Sequence, residues 1–238
     1  MSKITIVIPD TGPLITLAKA NALSLLLAFG DDVSLVLTDV VAFEATRFRS
    51  DHEDAQQICD FIDANAQRIS IRDTSYGELA ISAAKARQRY DESPGVQALY
   101  AANQLPPPAK IASDSGELSI ISFITSLIGD PPGPPCLIIA EDDFFLRSNS
   151  GALPGNAHII STVAFLMALQ VLDPKCNADA VLAAATTADR QPNSANVDKP
   201  AEKIKGSSSW KDTLEGDKLK VALSTRRKNI KNDGGAKP

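Results

Sequence analysis

The chain has 238 residues, 44% of them hydrophobic and 22% charged, enough for one domain of ordinary size with its own core. A net charge of −5 argues against nucleic-acid binding by bulk charge alone. Two histidines (His52, His158) and three cysteines (Cys59, Cys136, Cys176) show no zinc-finger or Cys-x-x-Cys spacing, which argues against a structural zinc or dithiol site and fits a reducing compartment.

Along the chain, strand-like and helix-like segments alternate. Ile4–Pro9 is a short β-branched run and is predicted as a buried strand. Leu14–Phe29 has apolar residues at helical spacing and stops at Gly30. Ser34–Thr38 is a second strand, and Asp39 opens a helix through about Arg47. Residues 52–65 read as a helix and Arg68–Ile71 as a third strand. Helices follow at 75–91 and 94–103, before Leu105-Pro-Pro-Pro108 interrupts the chain. Ser113–Ile128 is a strongly apolar helix, and Asp130-Pro-Pro-Gly-Pro-Pro135 is a stiff linker that cannot be helical inside. Leu137–Ala140 and His158–Ile160 are the fourth and fifth strands, with a last helix over Ser161–Leu172. Strands separated by helices predict a three-layer α/β/α sandwich around a mostly parallel sheet of about five strands.

The apolar start is too short for a signal peptide, and the runs 118–128 and 159–172 are too short to span a bilayer. A cytoplasmic protein without membrane contact is expected. Charge divides the chain. Residues 189–238 carry 12 Lys and Arg against 7 Asp and Glu, while the rest carries 12 against 22. The composition turns polar near Thr187, where too little apolar surface is left to offset chain entropy. The expected organisation is a domain over 1–175, with 74–110 as a helical insertion. A basic, disordered tail over 176–238 follows, with a short helix at 210–224.

In parallel sheets, sites form beyond the carboxyl ends of the strands. The first strand ends in Asp10, and the fourth runs into Glu141, Asp142 and Asp143. If these strands are neighbours, their tips lie about 4.8 Å apart, and like charges that close favour a cation between them. Hard divalent cations take such oxygen ligands. The same acids suit ordinary roles: Asp10 as a loop or cap residue, and Asp114-x-x-Glu117 as a capping box. Glu44 suits a solvated helix position paired with Arg47.

The order of these segments resembles the PIN-domain family. Three stretches carry the resemblance: Ile6-Val-Ile-Pro-Asp-Thr-Gly-Pro-Leu-Ile-Thr-Leu-Ala18, Ser113-Asp-Ser-Gly-Glu-Leu-Ser-Ile-Ile121, and Leu137-Ile-Ile-Ala-Glu-Asp-Asp-Phe-Phe-Leu-Arg147. His158-Ile-Ile-Ser-Thr-Val-Ala-Phe-Leu166 is similar to the family's last strand and helix, so the likeness covers about 4–172. It implies a metal-dependent endoribonuclease that hydrolyses RNA, often the toxin of a toxin–antitoxin pair. It further implies Mg²⁺ or Mn²⁺ as cofactor, an antitoxin protein as partner, and pairing into a homodimer. Carried over by position, Asp10, Glu44, Glu117 and Asp142 form the catalytic acids. Asp10, Glu117, Asp142 and Asp143 hold metal, and Arg47 and Arg147 meet RNA. The chain departs from the family in having Gly12 where Ser or Thr is usual and Glu141 where Thr or Ser is usual. The contact of that missing hydroxyl is either lost or supplied by Thr11.

Those departures motivate a rival expectation, a catalytically inactive PIN-like module acting through protein contacts. A phosphotransfer domain is disfavoured, because 141–156 and 161–172 contain no lysine. Of the histidines, His52 is expected to be solvated and His158 structural. Basic help for RNA is expected from Arg47, Arg147, the Lys85/Arg87/Arg89 helix or the tail.

Overall fold

A computed structural model describes residues 6–30, 33–127, 136–141, 157–173 and 175–190. The linker at 130–135, the acids Asp142 and Asp143, Arg147 and the segment 210–224 lie outside the described residues.

Five parallel strands form one sheet in the order β3-β2-β1-β4-β5, with helices over both faces, a three-layer α/β/α fold. The strands are β1 (Ile6–Pro9), β2 (Ser34–Thr38), β3 (Ile69–Arg72), β4 (Cys136–Ile139) and β5 (Ala157–Ile160). The register pairs Ile6 with both Ser34 and Cys136, and Ile139 with Ile160. Every residue of β4 and β5 is buried, as expected of strands covered on both faces. Burying Leu137, Ile138 and Ile139 completely is worth about 1.5–3 kcal/mol each. At the opposite edge β3 opens to solvent, and Ile71 is exposed.

The helices are α1 (Thr11–Lys19), α2 (Asp39–Thr46), α3 (Glu53–Ala64), α4 (Gly77–Glu92), α5 (Pro94–Ala102), α6 (Ser115–Ser126), α7 (Thr162–Leu172) and α8 (Ala178–Thr187). The predicted helix over Leu14–Phe29 is in fact two pieces. α1 starts earlier, with Pro13 in its first turn, and ends at Lys19. Asn21 then adopts a left-handed φ of 52°, which Asn tolerates, and a short 3₁₀ helix covers Leu23–Leu27.

The largest difference is at the C-terminal side. Residues 178–187 lie in the stretch expected to be tail, yet they form α8, which packs on α1 and α7. Asn177 caps its N-terminus by accepting from the Ala180 N–H, and Ala178 and Ala185 are buried. Val181 and Leu182 add partly buried contacts to the core, and the polar composition begins only after the helix, near Thr187.

The segment 74–110 holds α4 and α5. Its entry is tied to α2 by Asp39, whose carboxylate accepts from Thr74 N (3.1 Å) and Thr74 Oγ1 (2.9 Å). Gly77 lets α4 start against that carboxylate, since any Cβ there would overlap it. Among the described residues no helix is long and apolar enough to cross a membrane.

Candidate functional site

The strand order makes β1 the place where connections change sides: β2 and β3 lie to one side, β4 and β5 to the other. In such sheets a crevice opens beyond the carboxyl ends at that point. Asp10 stands there. Its N–H donates to the Ile139 carbonyl at 2.8 Å, extending the β1–β4 ladder by one step and fixing the acid at the strand tip.

Asp10 occupies the N-cap position of α1, but its side chain makes no cap hydrogen bond, and it is buried. The capping role open to it in the sequence is therefore not the one it takes. Instead it reaches Gly116, in the first turn of α6. A Cβ at Gly116 would lie 2.9 Å from Asp10 Oδ1 and 3.1 Å from Glu44 Oε2. The absence of a side chain there lets two carboxylates approach one point. The positive end of α6 lies against them and offsets part of their mutual repulsion.

Glu44 is half-buried rather than solvated. Its Oε2 accepts a hydrogen bond from Thr11 Oγ1 at 3.1 Å. Burial pushes its pKa above the ordinary carboxylate value, while the Thr11 hydroxyl and the Arg47 charge pull the other way.

Glu117 is the next residue of α6 and is buried. The expected capping box is not formed, because Asp114 makes no side-chain cap bond. The start of α6 is instead held from the side. Ser119 Oγ donates to the Gly116 carbonyl and meets Thr38 Oγ1, both at 2.6 Å, while Thr38 also caps α2 through Val41 N. Tyr76 Oη meets Ser115 Oγ at 3.1 Å. Gly116 is therefore pinned to the carboxyl end of β2.

Glu141 has a different surrounding. Its Oε1 accepts from Thr162 Oγ1 at 2.7 Å, and its Oε2 is paired with Arg190 at 2.8 Å. Arg190 also donates to Thr16 Oγ1 and to the Gly12 carbonyl. A Cβ on residue 12 would approach Glu141 Oε2 to 3.2 Å and Arg190 Nη2 to 3.3 Å, so Gly12 makes room for this ion pair. Arg190 went unseen in the sequence because it lies just past α8, in the stretch assigned to the tail.

Of the expected site residues, the structure brings Asp10 and Glu44 to Gly116, and Glu117 is the next residue of α6. Asp142, Asp143 and Arg147 lie outside the described residues. Arg47 is exposed at the end of α2, with its Cζ 4.6 Å from the Phe48 ring centroid. His52 is exposed and edge-on to the same ring, while His158 is buried in β5. Cys59, Cys136 and Cys176 are buried, and burial pushes the Cys136 thiol up to about 11.

Among the described residues no group of three or more His, Cys, Asp or Glu side chains is arranged to hold a metal ion. Mg²⁺, however, is commonly bound by one or two carboxylates plus water and substrate phosphate. The oxygen-only pair of buried Asp10 and half-buried Glu44, over a side-chain-free glycine, fits that smaller requirement. No family model, curated protein or solved structure matches the chain.

Proposed function

We propose that the chain is a divalent-cation-dependent ribonuclease of the PIN type. The observation that carries this reading is the meeting of the Asp10 and Glu44 carboxylates over Gly116 at the carboxyl edge of the sheet. Buried like charges are costly unless something neutralises them, and a nuclease site needs a cation there. Asp10 and Glu44 would hold Mg²⁺ or Mn²⁺. When bound, such a cation acidifies a water and offsets charge on the leaving oxygen.

The chain's own residues supply the rest. Asp10 is held at the tip of β1 by the Ile139 carbonyl, and the Thr11 hydroxyl orients Glu44. The partial burial that raises the Glu44 pKa also keeps bulk water from competing for the carboxylate. Arg47, the C-cap of α2, acts electrostatically on the Glu44 carboxylate.

The test is RNA cleavage by the full chain with Mn²⁺, Mg²⁺ or EDTA, beside Asp10→Asn and Glu44→Gln. Cleavage that needs the cation and disappears in both variants supports the reading. A folded protein that neither cleaves nor gains thermal stability from Mn²⁺ overturns it. That result would favour a PIN-like interaction module, a reading that the Glu141–Arg190 pair motivates because it puts a fixed cation at the site's edge.

A further inference from the structure

The α4–α5 hairpin is helical but hardly buried. Every residue of α5 is exposed or half-buried, and its Leu99 is 63% exposed. Leu79 on α4 is 74% exposed, and Leu105, just beyond α5, is exposed as well. Residues 94–109 contain no Asp, Glu, Lys or Arg. α5 rests on α4, where Tyr100 meets Tyr90 edge-on with ring centroids 5.3 Å apart. A helix of nine residues is marginal in water, because most helical stability comes from packing an apolar face. An uncharged surface bearing exposed leucines is the kind that another element covers.

The chain itself holds a segment that fits this face. Beyond Arg190 lie 48 residues, with 11 Lys and Arg against 6 Asp and Glu. Five of their eight large apolar residues fall within 210–224. At helical spacing Trp210, Leu214 and Val221 share one face, with Asp217 the one charge on it. A helix this short also needs a partner surface to hold it.

The point where the chain leaves the body favours their meeting. Arg190 is fixed to Glu141 at the carboxyl end of β4. α4 starts at the carboxyl end of β2, against Asp39. β2 and β4 flank β1, so both points lie along one edge of the sheet, with their strands about 10 Å apart. From there α4, with 16 residues, runs about 24 Å at a rise of about 1.5 Å per residue. The 19 residues 191–209 span about 22–26 Å r.m.s. as a coil, which matches that length. A tether matched to its span gives the highest effective concentration, whereas a second copy must find the face at bulk concentration.

We infer that residues 210–224 dock as a helix on the α4–α5 face of the same chain, with Trp210, Leu214 and Val221 set against Leu79 and Leu99. The contact gives the insertion a third helix and is independent of the carboxylate site.

Trp210 is the only tryptophan, so the intrinsic fluorescence of the full chain reads this contact directly. Its emission should be blue-shifted from that of N-acetyltryptophanamide, and acrylamide should quench it several-fold more slowly. Leu79→Lys, Leu99→Lys and Leu214→Lys should each return the emission toward the free value. Lys matches Leu in helix propensity and both hairpin leucines are exposed, so circular dichroism melts of the body should be unchanged. Val171→Lys, an exposed position on α7, should leave the emission as it is. The shift should also persist on dilution.

Wild-type emission equal to that of the free analogue would overturn the docking. So would a blue shift that the two hairpin variants leave in place, since the segment would then lie on another surface. A blue shift lost on dilution, as sedimentation shows dimers giving way to monomers, would assign the face to a second copy and overturn the intramolecular contact.

Discussion

Replacing Arg190 with Met tests how the edge of the site is held. Arg190 follows α8, and its guanidinium reaches Glu141 Oε2 at 2.8 Å, Thr16 Oγ1 at 3.1 Å and the Gly12 carbonyl at 3.4 Å. The Glu141 side chain is only 8% exposed, whereas that of Arg190 is 32% exposed. Breaking a fully buried pair costs about 3–5 kcal/mol, while an exposed pair is worth about 0–1 kcal/mol. A pair buried on one side falls between, and the bond to Thr16 adds to it. We expect a loss of about 2–3 kcal/mol, with Met keeping most of the aliphatic stem. For a domain of this size that is a fall in Tm of about 5–10 °C. Circular dichroism melts and urea titrations of the wild type, Arg190→Met, Glu141→Gln and the double variant provide the cycle. A coupling energy of about 1 kcal/mol or more between the two positions is expected. A Tm within about 1 °C of wild type for Arg190→Met would refute the reasoning and return residue 190 to the tail.

Other outcomes follow from the same geometry. Gly116→Ala should gain up to about 1 kcal/mol of helix propensity, yet its Cβ must displace Asp10 or Glu44; the expected result is a near-normal melt with Mn²⁺ affinity, measured by calorimetry, reduced roughly tenfold. Glu44→Gln should raise the Tm at neutral pH. The raised pKa means that the folded chain holds this proton more tightly than the unfolded one, so ionising Glu44 weakens the fold. The advantage should vanish below the ordinary glutamate value of 4.5, where both states are protonated, and grow as pH rises through the raised folded value. Melts across that range read it directly. Thr38→Val removes the 2.6 Å bond to Ser119 and the cap on α2, and should cost about 1–3 kcal/mol in urea denaturation.

Side-chain pattern carries the strands and the layering of the fold. Ser34–Thr38 is a strand over the predicted residues, because its β-branched and leucine side chains suit both buried faces. The parallel sheet followed from strands spaced by helices, and the location of the acids from the rule about carboxyl ends. What escaped was carried by small residues and by local stereochemistry. α8 is mostly alanine, with Val181 and Leu182 as its only large apolar residues, so its apolar pattern is weak. The break in the first helical stretch depends on the left-handed φ of Asn21, not on any change in hydrophobicity. The role of Gly116 lies in what it lacks, and the Glu141–Arg190 pair joins residues 49 apart in sequence. The sequence also left Asp10 open to a capping role, and only the position of its carboxylate over Gly116 separates that role from a site.

The pairing of β1 with β4 also bears on how the chain is made. β1 ends at Pro9 and finds β2 within a short stretch, but its other edge waits for β4 at Cys136–Ile139. At a synthesis rate of roughly 5–20 residues per second, that wait is on the order of ten seconds. During it, an apolar strand with a bare edge, Ile6-Val-Ile-Pro9, is open to pairing with another nascent chain. The carboxylate site is equally late. Asp10 lacks its Ile139 anchor until β4 is in place, and the clasp on Gly12 and Thr16 closes only with Arg190. A chain arrested before that point would carry the first acid of its site without the groups that hold it still.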